Sequence, residues 1–323
     1  GMNQYKPSED DMSFKESSFL FDTELASKDL RTAFYDLIFG IENDETTELS
    51  DIEQQVCDQL QNILESHDSL SSYIPALPKT IHQLMGILQE ENTDFDRLAN
   101  VISQDIKLAV EVIRVANNPL YRRAETKLDS LTQAIQVIGL DNVGLIATSV
   151  MMKGVLQVKS VYFKWFGELI WKHSLQTAAV CQYLSQNNNP FDAYLVGLIH
   201  DAGKIVIFKC LVDILSKTKT NELPNSKWFK RAMTEDSKWL SVMLAKEWQL
   251  SEDIITALEQ QESSPTGELG KVLYLSNICS ELELLIHDKK MEQEDGDEIL
   301  KQYALSDPLI EHLFTIMRKA VED

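Results

Sequence analysis

Apolar residues recur at intervals of three and four through most of the chain, while period-two alternation bounded by glycine-rich turns is nearly absent. The pattern predicts an all-α fold. Phe19, Leu20, Leu25, Leu30, Phe34, Leu37 and Ile38 mark one face of a first helix, and Ile52, Val56, Leu60, Ile63 and Leu64 one face of a second. Pro75 and Pro78 then break any helix twice, because each lacks a backbone donor and restricts the residue before it. A boundary is expected there. Short helices follow over 81–88, 95–102, 108–116, 131–138 and 143–156, with Ser130 and Gln133 as a capping box and Gly139 with Asp141 as a stop and restart. A longer helix is expected over 161–186, a turn at Asn187, Asn188, Asn189 and Pro190, and a helix that runs into His200. Further helices are expected over 238–248, 252–261, 269–286 and 309–321, with a polar break at 292–297. The expected organisation is a helical N-terminal extension (1–72), a first helical lobe (73–160) and a second helical lobe (161–323).

Charge separates these parts. The 323 residues hold 30 basic and 51 acidic side chains, a formal charge of -21. Residues 1–70 carry 17 acids against 4 bases, residues 71–160 carry 9 of each, and the remainder 25 against 17. The extension is therefore strongly acidic and the first lobe neutral. A duplex-binding protein gains most of its affinity from lysine and arginine displacing counterions, so nucleic acid is not expected as a partner. The longest uncharged stretch, 174–191, holds Gln176, Gln182, Gln186 and three asparagines, so no membrane span is expected. Cys57, Cys181, Cys210 and Cys279 form no CxxC pair and fit buried thiols in a reducing cytoplasm. Localisation in the cytoplasm is the resulting expectation.

Six histidines are present, and three precede an aspartate: His67–Asp68, His200–Asp201 and His287–Asp288. His67 and His287 lie in polar surroundings and read as solvated helix ends. His200 instead follows Ala193 to Ile199, all apolar or small, and a second apolar run begins after Lys204. An imidazole and a carboxylate at the end of a buried helix need a metal or a hydrogen-bonding partner, since isolated buried charge is costly. His173 is the other histidine in such a setting. An antiparallel hairpin about the Asn187 turn would bring His173 and His200 to similar heights, within about one helical turn at ~1.5 Å per residue. A cluster of two histidines and an aspartate is thus geometrically possible, and a hydrogen-bonded pin between helices is the plainer alternative to a metal site.

Trp171-Lys172-His173-Ser174 followed by Gly197-Leu198-Ile199-His200-Asp201-Ala202-Gly203-Lys204 resembles the HD superfamily of metal-dependent phosphohydrolases. Leu77-Pro78, Ile102-Ser103-Gln104-Asp105, Val115-Ala116-Asn117-Asn118-Pro119-Leu120-Tyr121 and Leu131 to Leu140 resemble the HDOD branch in particular. The resemblance spans about residues 71–285. It implies that the second lobe is an HD-like helical bundle and that the chain is a bacterial signalling or regulatory protein, of a branch mostly without demonstrated catalysis. It also implies that His173, His200 and Asp201 are the first ligands of a metal site.

The sequence departs from the catalytic pattern at Ser237, at Gln260 and Gln261, and at Asn277, where histidines or a closing carboxylate would stand. The resemblance with these losses implies a catalytically degenerate domain in which His173, His200 and Asp201 are vestigial ligands. No cofactor is expected, and a divalent metal (Mn, Fe, Zn or Mg) only if the site is retained. The function implied is a non-catalytic regulatory module that binds a protein partner or a small signalling ligand; the alternative is a phosphohydrolase acting on a nucleotide or phosphodiester. Arg114, Arg122 and Arg123 are a further candidate patch for an anionic ligand, against the plainer reading of exposed arginines at a helix end. Trp165, Trp171, Trp228, Trp239 and Trp248 are expected to pack in the second lobe's core.

Overall fold

Side-chain oxygens set many of the helix starts. Asp94, Asp105, Ser130, Ser251 and Ser306 each accept a backbone N–H from the first turn of the helix that follows. A computed structural model describes residues 24–39, 51–90, 94–122, 126–157, 164–185, 189–218, 232–262 and 265–322, and these are helical with no strand among them. The fold is all-α, as the periodicity predicts.

The extension contributes α1 (Glu24–Phe39), α2 (Asp51–Glu65) and the short α3 (His67–Ser71). The first lobe holds α4 (Lys79–Gln89), α5 (Phe95–Ser103), α6 (Ile106–Ala116), α7 (Leu131–Ile138) and α8 (Leu140–Leu156). The second holds α9 (Lys164–Leu184), α10 (Pro190–Ile199) and α11 (Ala202–Thr218), then a π-helical turn (Ala232–Asp236) that leads into α12 (Ser237–Glu247). It ends with α13 (Glu252–Glu259), a 3-10 turn (Gln260–Glu262), α14 (Glu268–His287), α15 (Gln293–Lys301) and α16 (Asp307–Ala320). Phe19, Leu20, Gln186, Asn187, Asn188, Arg123 and Trp228 lie outside the described residues.

Two apolar cores result, and α4 and α8 are walls of both. Leu84 and Ile87 of α4 and Val143, Ile146 and Ala147 of α8 face the first-lobe core. Ile81, Met85, Leu145, Met152 and Leu156 of the same helices face the larger core of the second lobe. Each such side chain contributes about 1.5–3 kcal/mol when fully buried, so the two lobes share stabilising surface. The linker is fastened as well, because the indole N–H of Trp248 donates to the Pro75 carbonyl (2.9 Å) and the Tyr73 hydroxyl to Asp213 (2.6 Å).

The acidic extension packs into the larger core. Leu30, Phe34, Leu37 and Ile38 of α1 and Val56 and Leu60 of α2 are buried there, α1 against α9 and α14 and α2 against α11. Asp51, Asp58 and Glu65 of α2 face solvent.

Two expectations need correction. The predicted polar break at 292–297 lies largely within α15: Glu294 and Asp295 complement the helix dipole in its first turn, and Gly296 and Leu300 form its buried face. The apolar stripe was hidden because one of its positions is a glycine, against which Ile286 packs. The tryptophans do not form a common core: Trp248 is buried, but Trp165 is 56% and Trp239 42% exposed.

Candidate metal centre

Two glycines allow the helices that carry the polar cluster to approach closely. A Cβ on Gly197 would lie 2.5 Å from Ala178 Cα, so α9 and α10 cross almost backbone to backbone. A Cβ on Gly203 would lie 1.9 Å from the Ser237 carbonyl oxygen, so α11 and α12 meet in the same way beside Asp201. The Gly203 N–H donates to Ser241 Oγ (2.9 Å), and the Ser241 hydroxyl donates to that Ser237 carbonyl (3.0 Å). His200 and Asp201 occupy the bend between α10 and α11, His173 projects from α9, and Asn277 from α14.

These four side chains converge. His173 Nε2 and His200 Nε2 are 3.1 Å apart, and each lies 2.9–3.0 Å from Asn277 Oδ1. Asp201 Oδ2 is 3.3 Å from His173 Nε2 and 3.4 Å from His200 Nε2. Their surroundings assign the protons. His200 Nδ1 lies 2.7 Å from the Gly197 carbonyl, which can only accept, so Nδ1 carries the hydrogen. Gln176 donates its amide to Glu283 (2.6 Å) and to the Met317 carbonyl (3.3 Å), which turns its Oε1 toward the Ser280 hydroxyl (2.9 Å). Ser280 donates there and accepts from His173 Nδ1 at 2.8 Å. In the neutral imidazoles both Nε2 atoms therefore present lone pairs to the centre. Asn277 donates its amide to Glu281 (3.1 Å), which leaves Oδ1 facing inward, and Asp201 Oδ2 is buried with no hydrogen-bond partner.

Four acceptor atoms thus face one another, an arrangement that calls for a positive charge between them. Burial pulls the His173 imidazole down to about 4, a shift that the neighbouring Asp201 only partly offsets. Burial alone would raise Asp201, but Lys204, His200 and His173 together outweigh it and hold the carboxyl well below the usual range. Lys204 Nζ lies 2.8 Å from Asp201 Oδ1, while the histidines lie nearest Oδ2. Burial pushes Glu281 up to about 7, against the opposing pull of Lys204 and Arg31.

The donor set fits one divalent cation. Ligands of a tetrahedral site with bonds of about 2.05 Å stand about 3.3 Å apart, close to the separations here, and two imidazoles with oxygen donors suit Mn, Fe or Zn. His173, His200 and Asp201 come together as the hairpin geometry allows, and Asn277 joins them. Gln260 and Gln261 do not. Gln260 accepts from the Gly267 N–H (3.0 Å) and Gln261 donates to the Ala257 and Gly270 carbonyls (2.7 and 3.2 Å). Gly267 is ten residues before Asn277, about 15 Å away along the chain at helical rise. Ser237 packs against Gly203 through its backbone, while its hydroxyl is turned to the Met233 carbonyl.

Sequence reasoning missed Gln176, Ser280 and Glu281. Their signal is helical spacing: Gln176 is one turn from His173, and Ser280 and Glu281 one turn from Asn277, on faces otherwise apolar. Of the candidate arginine patch, Arg114 pairs with Glu111 at 2.7 Å within α6 and Arg123 lies outside the described residues.

The sequence model of the HDOD domain family matches residues 74–264, more than half of the chain. The chain belongs to the HDOD domain family. The match excludes α1, α2 and α14, so Asn277 comes from outside it. Solved structures share the fold. A candidate metal-dependent phosphohydrolase from Shewanella amazonensis SB2B is 17% identical with a TM-score of 0.56, and covers 84% of this chain and 100% of that one. An HDOD domain protein of unknown function from Geobacter sulfurreducens is 18% identical (TM-score 0.51; 84% and 90% covered). A candidate signal transduction protein from Marinobacter aquaeolei VT8 is also 18% identical (TM-score 0.51; 84% and 68% covered). An uncharacterized protein of Treponema pallidum (strain Nichols) is 20% identical over 200 residues, which are 59% of this chain and 38% of that protein. The chain thus matches well under half the length of that relative. Among the described residues no helix is long and apolar enough to cross a membrane.

Proposed function

We propose that this HDOD chain is a non-catalytic signal-transduction module, which acts by binding a protein partner or a small signalling ligand across its helical lobes. The observation that carries this reading is the make-up of the centre. It has a single carboxylate, Asp201, already paired with Lys204 at 2.8 Å, and its closing donor is the neutral amide of Asn277. A neutral amide adds little affinity for a hard cation. Gln260 and Gln261, where the resemblance to HD phosphohydrolases implies a further pair of ligands, are committed elsewhere. A two-metal clamp on a phosphoryl group needs both sets.

The convergence of four lone pairs supports a second reading, a phosphohydrolase acting on a nucleotide or phosphodiester. His173, His200, Asp201 and Asn277 would then hold one metal, which supplies Lewis acidity and an acidified water when bound. Elemental analysis and affinity capture separate the readings. A regulatory module retains the same captured partners in an Asp201→Asn variant that keeps its fold, whatever its metal content. Stoichiometric metal that disappears in His200→Ala, together with hydrolysis of a generic phosphodiester, would replace the proposal with the enzyme.

A further inference from the structure

The centre is closed. The side chains of His173, His200 and Asp201 are 0%, 6% and 11% exposed, and the cavity beside Asp201 measures about 10 Å³. That is at the lower limit for a single water. Any larger molecule that reaches the centre requires an element to move.

Four of the surrounding helices are poor candidates for that movement. The helices α9, α10 and α14 and the start of α11 each supply or flank a ligand and pack against several other elements of the larger core. In contrast, α1 packs chiefly against α9 and α14 and supplies no ligand. It lies directly on the centre. The Phe34 ring, 3% exposed, rests on the His173 ring with centroids 4.8 Å apart and planes tilted by 46°. Arg31, one turn earlier, lies close enough to Glu281 to act on its charge, and Glu281 holds Asn277. A peripheral helix with two principal neighbours opens at lower free energy than the helices it covers. It also lies outside the family match.

We infer that α1 is a built-in cover over the His173, His200, Asp201 and Asn277 centre, and that its release controls access to that centre. The inference rests on enclosure alone and holds whether or not the centre binds a metal or performs chemistry. Signals that free α1 would do two things at once: bare the imidazole edge under Phe34, and expose the apolar face of Leu30, Phe34, Leu37 and Ile38.

Diethyl pyrocarbonate, which modifies accessible unprotonated imidazoles, tests this with mass-spectrometric assignment of each histidine. The exposed His67, His82 and His287 serve as internal references and half-buried His312 as a monitor of general loosening. In the full chain, His173 and His200 should react at least about tenfold more slowly than His67, and Arg31→Glu or removal of residues 1–49 should bring them within about threefold of it, with His312 unchanged. A matching rise at His312 would mean general unfolding and would overturn the cover, as would unchanged cluster rates in the full-length Arg31→Glu protein. Should the shortened chain fail to fold, the intact protein in rising urea decides. Labelling of His173 and His200 should precede alkylation of the buried Cys279; coincident midpoints would overturn the inference.

Discussion

A methyl group at Gly197 would sit 2.5 Å from the Ala178 Cα, so Gly197→Ala must push α9 and α10 apart and with them His173 from His200. Overpacking of this kind costs roughly 1–3 kcal/mol, and more where backbone is the obstacle; urea unfolding should show at least that loss. Tyr73 provides a milder, pH-dependent case. Its hydroxyl donates to Asp213 at 2.6 Å, and this bond pushes the Tyr73 pKa up to about 12 while it lowers that of Asp213. A carboxyl lowered on folding contributes stability in full above its unfolded pKa of about 4 and loses it as the pH falls through the folded value. The phenol, raised on folding, loses its share between about pH 10 and 12. Tyr73→Phe should therefore cost about 1 kcal/mol at neutral pH and distinctly less at pH 3. An equal cost at both would mean that Asp213 is not the partner that matters.

At the level of elements, the sequence was most legible where apolar residues repeat without interruption. The helices over 81–88, 95–102, 108–116 and 131–138 fall within α4 to α7, and the Ser130 cap is made as its spacing implies. Legibility failed at α15, where Gly296 occupies a buried position without being apolar in pattern. The apolar faces of α1 and α2 were legible, since Leu30, Phe34, Leu37 and Ile38 and Val56 and Leu60 are buried, but what those faces pack against was not, because composition does not name a partner surface. The centre was half legible. His173, His200 and Asp201 are visible as polar residues stranded in apolar runs, while Asn277 looked like a lost ligand rather than an inward-facing donor. Leu300 of α15 is fully buried, so Leu300→Ala should cost about 2–5 kcal/mol. A loss below 1 kcal/mol in urea unfolding would show that α15 is frayed in solution.

For the whole molecule, the shared walls α4 and α8 should make the two lobes unfold as one cooperative unit. Ile146 faces the first core and Met152 the second, both fully buried. Ile146→Ala and Met152→Ala, each costing about 2–5 kcal/mol, should lower the same single calorimetric transition. Two transitions that respond separately would mean independent lobes. The charge of -21 belongs to this scale too, and within the neutral first lobe Arg114 pairs with Glu111. The proposed regulatory role requires that the centre, with Asn277 as closing donor and Lys204 paired to Asp201, leave phosphodiesters intact. The most direct test is hydrolysis of bis(p-nitrophenyl) phosphate by the purified chain, full-length and without residues 1–49, in the presence of Mn²⁺, Fe²⁺, Zn²⁺ or Mg²⁺. No rate above that of the His200→Ala variant is expected under any of these conditions. A metal-dependent rate that His200→Ala abolishes would overturn the regulatory role.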